Sequence, residues 1–158
     1  MLPQQKNKIS VQSNTAPLSI WFNTLFKKYY HVIEQELAHI GIERYFYVLT
    51  LICRQEQITQ QCIANYLGID KASMVRIIDY LTKNGLVKRT THYEDRRSYI
   101  ITATKKGMQL CPIIEQTFEH VNNCALIGFT EDEKKQFLVM MTRIETNLTT
   151  TLNQLPTE

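Results

Sequence analysis

Apolar residues recur at three- and four-residue steps through Leu18, Phe22, Leu25, Tyr29, Val32, Ile33, Leu37 and Ile40. That spacing makes one face of a long amphipathic helix, and Gly41 stands where it should stop. The next run, "RYFYVLTLIC", is apolar almost all round. Its β-branched and aromatic residues suit a buried strand, but it continues into "RQEQ" with no turn residue close by, which favours a buried helix. The segment "ITQQCIANYLGIDKASMVRIIDYLTKNGLVKR" then carries two helices in quick succession. Thr59 is positioned to cap the first, which ends before Gly68. Asp70 is positioned to cap the second, which runs to Asn84 with Gly85 as the left-handed terminator. Ile63, Leu67, Ile69, Met74, Ile77, Ile78 and Leu81 are predicted to face inward, and the small Ala64 lies where the two helices close on each other.

Small residue, turn glycine and apolar pins in this order describe a helix-turn-helix. After Gly85, "LVKRTT" reads as a strand, "HYEDRR" as a hairpin tip and "SYIIT" as the returning strand. A hairpin directly after a helix-turn-helix makes a winged helix. Thr104 opens a further helix bearing Met108, Leu110, Ile114, Phe118 and Val121. Pro112 within it predicts a kink or a later start, because proline removes a backbone donor and crowds the preceding turn. "TEDE" at 130–133 is a capping box starting a last helix with Phe137, Met140, Met141, Ile144, Leu148 and Leu152 on its apolar positions. Residues 1–15 are polar, lack periodicity and read as a flexible arm. The predicted fold class is mainly α: a winged helix-turn-helix with a small β-hairpin wing between long terminal helices.

Charge sharpens this picture. The 158 residues carry a net charge of only +3, but residues 68–107 hold nine basic residues against four acidic ones. A basic centre between neutral-to-acidic ends is the footprint of a nucleic-acid contact. At the start of the second short helix, Lys71, Ser73 and Arg76 face solvent, where a recognition helix meets base edges and phosphates. Arg76 has the reach for a guanine, Ser73 for a base or phosphate, and Lys71 for a phosphate. At the hairpin tip, Arg97 is suited to the minor groove, with Asp95 two residues earlier as its brace. The plain alternative is that these are solvated residues of a helical hairpin and a charged turn.

"GLVKR", then "DRR", then the Thr104-x-x-Gly107 pattern, together with "LGIDKASMVRIIDYLTKNG", resemble the winged-helix region of the MarR family of bacterial transcriptional regulators. At the level of element order the resemblance spans about residues 18–152. Ala103 departs from the family's usual leucine before the threonine, and Pro112 interrupts a helix that is usually continuous. The resemblance implies a sequence-specific regulator of transcription, acting as a homodimer on a pseudo-palindromic double-stranded DNA operator. It would most often repress, and respond to a ligand or an oxidant. It implies an arm over 1–15 and one winged-helix domain over 16–158. Within that domain, 16–41 and 105–152 would be dimerisation helices and 58–104 the DNA-binding part. It assigns Arg97 to the minor groove, Asp95 as its brace and Arg96 to phosphate. Family members also hold small aromatic effectors between dimer helices and winged domain, a space for which Trp21, Phe22, Tyr29, Tyr45 and Phe46 are the candidates here. Aromatics at helical spacing more often form core or dimer interface.

The remaining chemistry is sparse. No secretory signal and no run of about 18 apolar residues is visible, so a cytoplasmic protein with no membrane contact is expected. Cys53, Cys62, Cys111 and Cys124 lack C-x-x-C spacing and read as reduced, half-buried thiols. Glu36-x-x-His39 has iron-ligand spacing but no second copy, and His31, His92 and His120 are scattered. No phosphate loop or nucleophile motif appears, so neither enzyme activity nor a cofactor is expected. The rivals are a winged-helix protein-interaction module and, more remotely, a thiol redox enzyme.

Overall fold

The computed structural model describes residues 17–55, 57–91 and 98–156. In chain order its elements are α1 (Leu18–Glu36), a 3-10 turn (Ala38–Ile40), α2 (Phe46–Cys53), β1 (Ile58–Thr59), α3 (Gln60–Leu67) and α4 (Lys71–Lys83), followed by β2 (Val87–Thr91), β3 (Tyr99–Ala103), α5 (Lys105–Ala125) and α6 (Glu131–Gln154). The chain divides into two compact units, Met1–Phe118 and Glu119–Glu158, the division falling within α5. Among the described residues, no helix is long and apolar enough to cross a membrane.

In the first unit, α2 is the buried helix that its apolar run predicts: Phe46, Val48, Leu49, Thr50 and Ile52 are all buried. Ile63, Met74, Ile77, Ile78 and Leu81 bring α3 and α4 into the same core, joined by Leu86, Val87 and Ile101 from the sheet. The two helix starts are set locally. The Thr59 hydroxyl accepts from the Cys62 N–H at 3.1 Å, and Asp70 Oδ1 from the Ser73 N–H at 2.9 Å. Gly68, at φ 61°, makes the left-handed step between α3 and α4 that a side chain resists.

The sheet is antiparallel in the order β1-β3-β2. β2 and β3 are the two arms of the expected hairpin; β1 is an addition, pairing Ile58 with Ile101 and Thr59 with Ile100. Thr59 thus serves both as a strand residue and as the cap of α3.

The Thr104-x-x-Gly107 pattern has a structural cause. Thr104 donates its N–H to the Leu86 carbonyl at 2.9 Å and its hydroxyl to the Gly85 carbonyl at 2.6 Å. The same hydroxyl accepts from the Gly107 N–H at 3.1 Å, and Lys106 Nζ donates to the Asn84 carbonyl at 3.0 Å. Gly107 lies so close to Leu86 that a Cβ there would sit on the Leu86 carbonyl oxygen. One short motif therefore ties the start of α5 to the turn that ends α4.

Three expectations are revised. α1 ends at Glu36 rather than at Gly41; a 3-10 turn fills the gap, and Gly41 takes the left-handed conformation at φ 75° after it. Of the two outcomes expected from Pro112 the later start is not found: α5 begins directly after Thr104 and contains Pro112, with Cys111 and Ile114 buried beside it. Cys53 and Cys111, expected as free thiols, form a disulfide with 6.7 Å between their Cα atoms. Their 58-residue separation gives no spacing signal; the side-by-side packing of α2 and α5 brings them together. Arg54 donating to Glu115 at 2.8 Å and Tyr47 against Phe118 fasten the same seam. Cys62 and Cys124 are free and exposed.

In the second unit, α6 opens with the predicted capping box, both reciprocal bonds of Thr130 and Glu133 being present. No residue of α6 is buried, and Phe137, Leu138, Met140, Met141, Leu148 and Leu152 are exposed.

Candidate nucleic-acid interface

α4 presents its N-terminal turns to solvent while Met74, Ile77, Ile78 and Leu81 hold its opposite face in the core. Three of the residues expected to touch DNA are therefore together on one exposed stretch. Lys71 and Arg76 are exposed and Ser73 is half-buried. They are also connected. Arg76 donates from Nη2 to Ser73 Oγ at 3.0 Å. The Ser73 hydroxyl, and then its N–H, hold the Asp70 carboxyl below the ordinary carboxylate range. The charged cap and the tethered guanidinium thus meet at one serine, which reduces the freedom Arg76 must lose on binding.

The other expected DNA residues, Arg96 and Arg97, and the expected brace Asp95 lie outside the described residues. The strands leading to them are in place, with Thr91 opposite Tyr99 as the last pair.

A groove of about 490 Å³ runs beside α4, lined by Gln60, Gln61, Lys71, Arg89, Ser98 and Tyr99 among others. Arg89 was not singled out from sequence. It sits on β2, where it meets Asp79 of α4 at 3.0 Å and Gln60 of α3 at 3.2 Å. The available signal was strand alternation, which sets Arg89 on the same face as the buried Val87.

The five aromatic candidates for an effector space lie in different settings. Trp21 is exposed and Phe22 half-buried on α1. Tyr29 is partly buried, which pushes its hydroxyl pKa up. Tyr45 adopts φ 65°, uncommon for a residue with a side chain, and meets Tyr80 edge-on at 5.3 Å with Arg44 over both rings. Phe46 is committed to the core. None of the five lines the groove beside α4. Among the described residues, no three His, Cys, Asp or Glu side chains come together to hold a metal ion.

The MarR family model matches residues 43–99, from the approach to α2 to the first residue of β3. Over that stretch the chain is similar to the MarR family. The chain is 26% identical over 105 residues to YybA of Bacillus subtilis (strain 168), an uncharacterised HTH-type transcriptional regulator. The match covers 66% of this chain and 69% of YybA. A crystal structure of MarR superposes with a TM-score of 0.79 at 26% identity, over 92% of this chain and all of that one. A mutant MarR from E. coli, in complex with operator DNA, shares the fold at a TM-score of 0.73 and 19% identity, over 81% of this chain and 93% of that one. The winged helix with long flanking helices is thus the architecture of the MarR family.

Proposed function

We propose that the protein is a sequence-specific, DNA-binding regulator of transcription that acts as a homodimer on a pseudo-palindromic operator. The observation that carries the reading is the exposed N-terminal face of α4, with Lys71, Ser73 and a serine-tethered Arg76 on a MarR family helix-turn-helix. The operator complex of the E. coli MarR supports a duplex as the partner. In this reading α4 enters a major groove, and Arg97 at the hairpin tip, braced by Asp95, enters the adjacent minor groove while Arg96 meets phosphate. The two half-sites lie about one helical turn apart.

The apolar side chains left exposed along α1 and α6 support a dimer, since a second copy is a means of covering them. The protein acts in the cytoplasm, as a repressor that occupies promoter DNA and not as an enzyme. Release follows from an effector that prefers the DNA-incompetent state. That effector is a small aromatic ligand or an oxidant, and the Cys53–Cys111 pair joining two helices supports the oxidant.

Arg97→Ala tests the wing. The variant should remain a dimer in sedimentation and bind its operator more weakly than wild type in a titration. Full operator affinity contradicts the role given to the hairpin. A protein that binds all duplexes alike, or none, while folded and dimeric belongs to the protein-interaction class instead.

A further inference from the structure

Arg89 is an unusual residue for its position. It pairs across the sheet with the fully buried Ile101, and shares its strand face with the buried Val87. Its side chain is only 26% exposed, and its Nε is buried with no partner among the described residues. Burying part of a guanidinium is costly unless its remaining donors are well used. Here they are. Nη2 lies 3.0 Å from Asp79 Oδ1 on α4 and 3.2 Å from Gln60 Oε1 on α3, and Cζ lies 5.3 Å over the Tyr99 ring on β3. One planar group thus reaches three elements at once, and Asp79 is one helical turn from Arg76.

We propose that Arg89 is a positioning residue for DNA reading. It fixes the rotation of α4 about its own axis against α3 and β3, and so the direction in which Arg76 points. The proposal rests on the DNA-binding reading above. A direct phosphate contact is disfavoured, because Asp79 already neutralises the guanidinium and Nε is shielded from solvent. A role confined to stability is disfavoured too. Asp79 is 57% exposed, so losing its partner returns it to water rather than leaving a buried charge. Lysine is a poor substitute, since it lacks the planar face that lies over Tyr99.

The test compares wild type, Arg89→Met, Arg89→Lys, Arg76→Ala and Arg89→Met/Arg76→Ala on the duplex that wild type selects. Methionine keeps an apolar stem against the sheet. Arg89→Met and Arg89→Lys should each lose operator affinity by about tenfold, within the usual coupling between contacting groups. Their affinity for unrelated duplexes and their salt dependence should match wild type. The loss should vanish once Arg76 is already alanine, because rotation of α4 then has no arginine to misdirect. An equal loss in the Arg76→Ala background overturns the proposal. So does an equal loss on all duplexes with a salt slope lower by about one, the mark of a phosphate contact. Asp79→Asn is the second variant should Arg89→Met not fold: it must show the same operator-only loss, and wild-type affinity in it overturns the proposal. Failure of wild type to select any sequence refutes the DNA-binding reading itself, and is seen without any variant.

Discussion

Gly107→Ala is expected to destabilise the winged helix by about 2–3 kcal/mol, lowering the midpoint of thermal unfolding by roughly 5–10 °C. The sign is informative because helix propensity argues the other way. Alanine in place of a helical glycine ordinarily gains about 1 kcal/mol. Here the new Cβ falls on the Leu86 carbonyl oxygen, with the Leu86 carbonyl carbon at 3.2 Å and Leu49 Cδ1 at 3.4 Å. That oxygen cannot simply retreat: it accepts the Thr104 N–H at 2.9 Å and lies 3.2 Å from the Thr104 hydroxyl. Relief therefore costs the capping of α5 or the turn after α4. Gln109→Ala, two residues on and exposed, is the control that should leave the midpoint close to wild type. A Gly107→Ala protein as stable as wild type in denaturant titration contradicts this account of the motif.

Arg76→Ala should weaken operator binding by about 10–100-fold, the discrimination that one bidentate arginine–guanine pair supplies. The loss should be uneven across sequences. Binding to the operator falls far more than binding to unrelated DNA, and the preference relaxes at the base pair that Arg76 reads. Ser73→Ala should give a smaller loss in the same direction, because it removes the 3.0 Å tether and leaves the guanidinium itself. Stability should barely follow, since Arg76 is exposed and the buried face of α4 is untouched. Duplex titrations with single base-pair substitutions read both effects. A uniform loss across all duplexes makes Arg76 a phosphate contact and moves base reading elsewhere on α4.

How much of this was legible in the sequence depends on the range of the interaction. The caps Thr59, Asp70 and Thr130 each bond a backbone N–H three residues ahead, so type and spacing suffice to find them. The turn at Gly68 and the buried faces of α3 and α4 were legible for the same reason, being patterns within a few turns of helix. Long-range partners were not. β1 is two residues long and exists only because β3 runs beside it. The disulfide joins residues that only helix packing makes neighbours. Strand alternation could have marked Arg89 as inward-facing, but nothing in sequence points to Asp79 and Gln60 as its partners. Phe46 illustrates the converse: an aromatic residue at helical spacing with several uses open to it, which burial assigns to the core.

The most direct test of the central claim is selection of bound duplexes from a random DNA library at near-physiological salt, with purified protein whose folding and mass in solution are checked in parallel. The account predicts enrichment of an inverted repeat with half-sites about one helical turn apart, bound by two copies of the chain. Its specific binding should survive an excess of unrelated DNA. A folded, dimeric protein that enriches no sequence contradicts it.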